Sequence, residues 1–111
     1  MNCNKCRTNV VEIHESHDVP CYLFSGDRRR RKRQADKYGR HNLCLNCHRK
    51  YEVLLIKVLF LNLFYKDIII NDGVSLIKYM RNLSEKCSSF KIQGRAIKIC
   101  EKISEDFFNG E

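Results

Sequence analysis

The chain has 111 residues, a formal net charge of +8 and seven cysteines. That length suits one domain, or a small metal-stapled module with a helical extension. The longest apolar run, Val53 to Tyr65, is interrupted by Lys57 and Asn62 and falls short of the about 20 residues that cross a bilayer, so no membrane association is expected. No charged start leads into an apolar stretch with a cleavage site, so a cytoplasmic protein is expected, or a nuclear one in a nucleated cell, rather than a secreted one.

Two Cys-x-x-Cys pairs, Cys3/Cys6 and Cys44/Cys47, frame the first half of the chain. Four thiolates from two such knuckles hold one tetrahedral Zn²⁺ and fold the intervening residues back onto the metal. Disulfides are disfavoured by the odd cysteine count and the absent export signal. A segment of this size buries too little apolar surface to fold unaided, so residues 1–52 are expected to need their metal.

Between the knuckles, Val10-Val11-Glu12-Ile13 has the β-branched composition of a strand. Pro20 stops any regular element, and the short apolar piece Cys21-Tyr22-Leu23-Phe24 is closed by Ser25-Gly26-Asp27. Arg28-Arg29-Arg30-Arg31-Lys32-Arg33 reads as a flexible loop or a helix face that meets phosphates, against a solvated charge run or an import signal. A helix is expected from the second knuckle to about Lys66, and Asn71-Asp72-Gly73 then turns the chain. Asp72 caps a second helix to about Cys87, with Leu76, Ile77, Met80 and Leu83 on its apolar stripe. A third helix, from about Gly94 to Phe108, aligns Ile97, Cys100, Ile103 and Phe107. Cys87 and Cys100 read as small core residues, and Cys21 as either an unpaired cysteine or a substitute knuckle ligand.

The fold class is therefore α+β: a zinc-stapled module over residues 1–52, then a helical extension over residues 53–111 that packs on it and offers a surface for a homodimer. Charge follows the same division. Residues 1–52 carry twelve Lys and Arg against six Asp and Glu, and residues 53–111 carry nine against seven. A positive field on the zinc half suits a polyanion such as nucleic acid, because each cation beside a phosphate releases condensed counterion.

The order of parts is that of a treble-clef zinc finger with a ββα unit. Cys3-x-x-Cys6, Glu12-Ile13, His17-Asp18-Val19-Pro20, Asn42-Leu43 and Cys44-x-x-Cys47-His48 together resemble the HNH endonuclease family in its four-cysteine zinc form, over residues 3 to about 52. The resemblance implies that Cys3, Cys6, Cys44 and Cys47 hold structural zinc, that His17 is the general base activating water, and that His48 ligates a catalytic Mg²⁺ or Mn²⁺. Asn42 is the nearest equivalent of the Asn that orients the base, with His41 as the alternative because Asn42 lies only two residues before Cys44. Ser16 stands where the family places a metal-ligating Asp or His, so Asp18 is expected to supply the hard oxygen.

The chemistry agrees with these residue types. Phosphodiester hydrolysis needs a base of near-neutral pKa and a divalent cation to stabilise charge on the oxygens around phosphorus. Arg28, Arg29, Arg30, Arg31, Lys32 and Arg33, with Arg40, are the expected nucleic-acid contacts, DNA being favoured. Two alternatives stand beside a metal-dependent endonuclease: a catalytically silent zinc module that binds nucleic acid, and a zinc-stapled protein-interaction module.

Overall fold

The first knuckle is a turn held by its own backbone. The Cys3 N–H donates to the Thr8 carbonyl at 3.1 Å, the Arg7 N–H donates to the Cys3 carbonyl at 3.0 Å, and Arg7 takes a left-handed φ of 65°. In this computed structural model residues 1–87 and 89–109 are described, so Ser88, Gly110 and Glu111 of the expected extension lie outside the described residues. The elements in chain order are β1 (His14–His17), a 3₁₀ turn (Cys21–Leu23), α1 (Arg28–Asp36), β2 (Arg40–Leu43), α2 (Leu45–Phe64), α3 (Gly73–Lys86) and α4 (Phe90–Asn109). The fold is mixed: four helices and one small antiparallel sheet.

That sheet pairs β1 with β2, setting Ser16 opposite His41 and His17 opposite Arg40. The strand expected at residues 10–13 lies further along the chain, at His14–His17. Composition alone misplaced it, because β-branched residues stabilise a strand only where they pack against a partner, and Val11 is 97% exposed. Entry to β2 depends on Gly39, whose φ is 101° and whose missing Cβ would sit 2.8 Å from Asp18 Oδ2. Its carbonyl accepts the Asp18 N–H at 3.0 Å, so a larger residue here would push the two strands apart.

Of the two structures open to the basic run, the chain adopts the helix. The Asp27 side chain caps α1 by accepting the Arg30 N–H at 2.9 Å, and Ala35 is its buried residue. In α2 the Cys44 sulfur caps the N-terminus, and Cys47, Tyr51, Leu55 and Leu59 recur every fourth residue on the inward face. This helix runs without a break across residue 52. Leu55, Ile56 and Leu59 are fully buried, each contributing about 1.5–3 kcal/mol.

The helix α3 starts at a capping box in which the Asp72 and Ser75 side chains each accept the other's backbone N–H. Leu76 and Leu83 are buried, but Ile77, expected on the same stripe, is 51% exposed. One residue beyond Leu76 is a rotation of about 100°, which carries Ile77 off the face that Leu76, Met80 and Leu83 share. The last helix begins at Phe90 rather than near Gly94, because the Ser89 hydroxyl accepts the Ile92 N–H at 3.4 Å and its carbonyl accepts the Gln93 N–H at 2.9 Å. Gly94 sits inside the helix. Ala96, Cys100 and Ile103 of α4 are buried, and α4 packs along α2. Among the described residues no helix is long and apolar enough to cross a membrane.

Candidate functional site

Cys3, Cys6, Cys44 and Cys47 bring their sulfurs within 4.8 Å of one another. A four-coordinate thiolate site with metal–sulfur bonds of about 2.3 Å needs sulfurs about 3.8 Å apart, and Cys6 and Cys44 lie at 3.9 Å. Backbone amides already point at the sulfurs: the Lys5 N–H donates to Cys3 Sγ and the Cys47 N–H to Cys44 Sγ, both at 3.4 Å. Burial opposes ionisation of Cys3, yet the amides of Cys44, Cys6 and Lys5 outweigh it and bring the thiol down to about 6. Cys47 moves the other way, pushed up to about 12 by burial and by the neighbouring thiols. One thiolate in the group therefore resists the next, and a metal dication removes that resistance, so the cluster can hold a metal ion. Asn4 ties the two knuckles together. Its N–H donates to the Asn42 carbonyl at 2.8 Å, and its side-chain oxygen accepts the Asn42 N–H at 2.6 Å. Asn42, expected to orient a base, thus joins the knuckles through its backbone, and its side chain is exposed.

His17 and His48 line one depression of about 190 Å³, together with Glu15, Ser16, Cys21 and Glu52. That volume is below the range of drug-sized ligand pockets and is nearer the size of one phosphoryl group or hydrated ion. The His17 ring is held on both nitrogens, with Nε2 2.7 Å from Asp36 Oδ1 and Nδ1 3.7 Å from Cys21 Sγ. His48, in the first turn of α2, has Nε2 3.3 Å from Glu52 Oε1 one turn further on. The ring of His14 lies 5.7 Å from that of His48. Ser16, at the expected ligand position, is 3% exposed. Cys21 lies beside His17 and is not part of the four-cysteine cluster; burial, then the Asp36 charge, raises its thiol pKa.

Asp18 and His41 meet elsewhere. Asp18 Oδ1 is 2.7 Å from His41 Nδ1, and both line a separate depression with Glu101, Ser104 and Phe108 of α4. Asp18 lies one residue past the end of β1, where the Gly39 carbonyl holds its N–H and His41 engages its side chain. The structure therefore brings His17 and His48 together and sets Asp18 and His41 apart from them.

The residues Arg28, Arg29, Arg30, Arg31, Lys32 and Arg33 occupy most of α1, which has no acid in its first turn. Like charges three and four residues apart repel, and cations at a helix N-terminus oppose the macrodipole. Among the described residues, Lys32 alone of the six has carboxylate partners, Asp36 at 3.4 Å and Glu15 at 3.8 Å. Arg40, from β2, reaches the same acids, Glu15 at 3.3 Å and Asp36 at 3.7 Å. Glu15, His17 and Asp36 also place donor atoms within 4.8 Å of one another, but Lys32 and Arg40 already neutralise those carboxylates.

Sequence reasoning missed Asp36 and Glu52. The spacing His48-x-x-x-Glu52 is a signal for the second, because residues four apart share a helix face. No local signal marks Asp36, whose contact with His17 spans 19 residues and forms only in the folded chain. Comparison with protein-family models, with curated proteins and with solved structures finds no match for this chain.

Proposed function

We propose that this chain is a metal-dependent endonuclease of HNH-like design, with a structural Zn²⁺ in the four-cysteine cluster and nucleic acid, DNA in the first place, as its substrate. The observation that carries the reading is that His17 and His48 line one small depression while His17 is hydrogen-bonded to Asp36, the last residue of the arginine-bearing helix. Six cations on one short helix, five without a carboxylate partner among the described residues, are electrostatically costly unless an anion meets them. The knuckles, β1, β2 and α2 follow the order of a treble clef, which supports the same reading.

In this mechanism the arginines of α1 hold the phosphate backbone, and the neutral His17 imidazole takes a proton from water as the water oxygen attacks phosphorus. The phosphorus–oxygen bond to the leaving strand breaks, its oxygen takes a proton from solvent, and the depression admits one phosphoryl group. With Asp18 engaged by His41, the donors that fit a catalytic Mg²⁺ or Mn²⁺ in the depression are His48 and Glu52. Held there by His48 and Glu52, such an ion would supply positive charge to the phosphoryl oxygens. The engagement of Asp18 is also the observation that favours the second reading, a silent module that binds nucleic acid without cutting it. Conversion of supercoiled plasmid to the nicked form in Mg²⁺ or Mn²⁺, abolished by chelator, tests the proposal; binding without conversion in any divalent metal, on DNA or RNA, favours the silent module.

A further inference from the structure

We propose that Asp36 is a positioning residue for His17: its carboxylate accepts a hydrogen bond from Nε2–H and leaves Nδ1 as the proton-accepting nitrogen inside the depression. The inference deepens the endonuclease reading and rests on it for the role of His17 as base.

Both neighbours of the ring demand the same tautomer. An ionised carboxylate only accepts hydrogen bonds, so the nitrogen 2.7 Å from Asp36 Oδ1 must carry a hydrogen. Asp36 is kept ionised, since the His17 contact and then Lys32 lower its pKa. Glu15 Oε1, 3.9 Å from the same nitrogen, adds negative charge on that side. On the other side the raised Cys21 pKa keeps the thiol protonated, and this weak S–H donor, 3.7 Å away, leaves Nδ1 as the unprotonated nitrogen and is displaced from it when water enters. The remaining charged groups around the ring are Lys32 and Arg40, both spent on Glu15 and Asp36, and the His48–Glu52 pair across the depression. The His17 side chain is 12% exposed, so little water competes for Nε2.

The placement of Asp36 has a functional consequence. It ends the helix that carries the arginines, so the element that meets the substrate backbone also sets the orientation of the base.

The test is a two-bond ¹H–¹⁵N correlation of the histidine rings in the full-length, zinc-loaded, ¹⁵N-labelled protein at neutral pH. The expected spectrum shows His17 protonated on Nε2 and bare on Nδ1, with an Nε2 proton slow to exchange with water. Asp36→Ala should lose that protected proton, whereas Asp36→Asn, which keeps an acceptor oxygen, should retain it. A wild-type spectrum with the hydrogen on Nδ1 overturns the proposal without any variant, and an unchanged Asp36→Ala spectrum overturns it as well. In nicking assays Asp36→Ala should lower kcat about tenfold or more with KM for DNA unchanged. A rise in KM alone would make Asp36 a binding residue and overturn the assignment. Absence of nicking by the wild type sinks the endonuclease reading instead, and the ring spectrum still decides whether Asp36 positions His17.

Discussion

His41 and Phe108 stack face to face, with ring centroids 3.5 Å apart and planes 7° from parallel. This contact joins the sheet between the knuckles to the end of α4. It is reinforced by Asp18 on His41 Nδ1, by Lys5 donating to the Phe107 carbonyl, and by Tyr51, whose ring lies 5.1 Å from Phe107 and 5.5 Å from Phe108. Asp18 and His41 therefore act here as a clasp between the two halves of the chain.

Removing the Phe108 ring should open that clasp. Phe108→Ala is expected to cost about 2 kcal/mol, less than the about 3–5 kcal/mol of a fully buried phenylalanine because Phe108 is only half-buried. Denaturant unfolding of wild type and variant measures it, and a loss below about 0.5 kcal/mol would show the stack to be incidental.

Tyr51 donates its hydroxyl hydrogen to the Asp18 carbonyl at 2.7 Å from a ring that is 1% exposed. Tyr51→Phe leaves that carbonyl without its buried partner and should cost about 1–2 kcal/mol. The same unfolding experiment reads the loss, and equal midpoints for the two proteins would refute the role given to this bond.

Metal content is the third expectation. Purified protein should carry one Zn²⁺ per chain, and Cys47→Ser or a strong chelator should remove it and lower the helical circular dichroism, because Cys47 belongs both to the cluster that could hold the metal and to the buried face of α2. Full retention of the native spectrum after complete metal removal would mean that the core of α2 and α4 holds residues 1–52 unaided.

Much of this arrangement can be read from the chain, and the rest cannot for definite reasons. The cysteine cluster and the helices α2 and α3 follow from spacing, because ligand pairs and apolar stripes are local patterns. The helical start at Phe90 depends on a serine cap five residues before the glycine that looked like the boundary. The strand at His14–His17 and the hydrogen bond from His17 to Asp36 are tertiary outcomes: each needs a partner element 19 or more positions away in sequence to be in place. The same holds for the parting of Asp18 from His17, since Asp18 is drawn to His41, 23 positions further on, once β2 is in place.

Nucleic-acid binding should be steeply salt-dependent. Replacing Arg28, Arg29, Arg30 and Arg33 with Gln leaves the Asp27 cap and the Lys32–Asp36 pair intact. The slope of log affinity against log salt should fall by about 0.9 for each phosphate contact removed. An unaltered slope would place the contact on another face.

The most direct test of the central claim compares initial rates of plasmid nicking by wild type and His17→Ala in Mg²⁺ and Mn²⁺. Nicking is expected from the wild type and none from His17→Ala, with zinc content and DNA affinity equal in the two proteins, because the substitution removes the base and leaves the knuckles and the arginines of α1 in place. Equal nicking by the two proteins, or none by either on any nucleic acid, would contradict it.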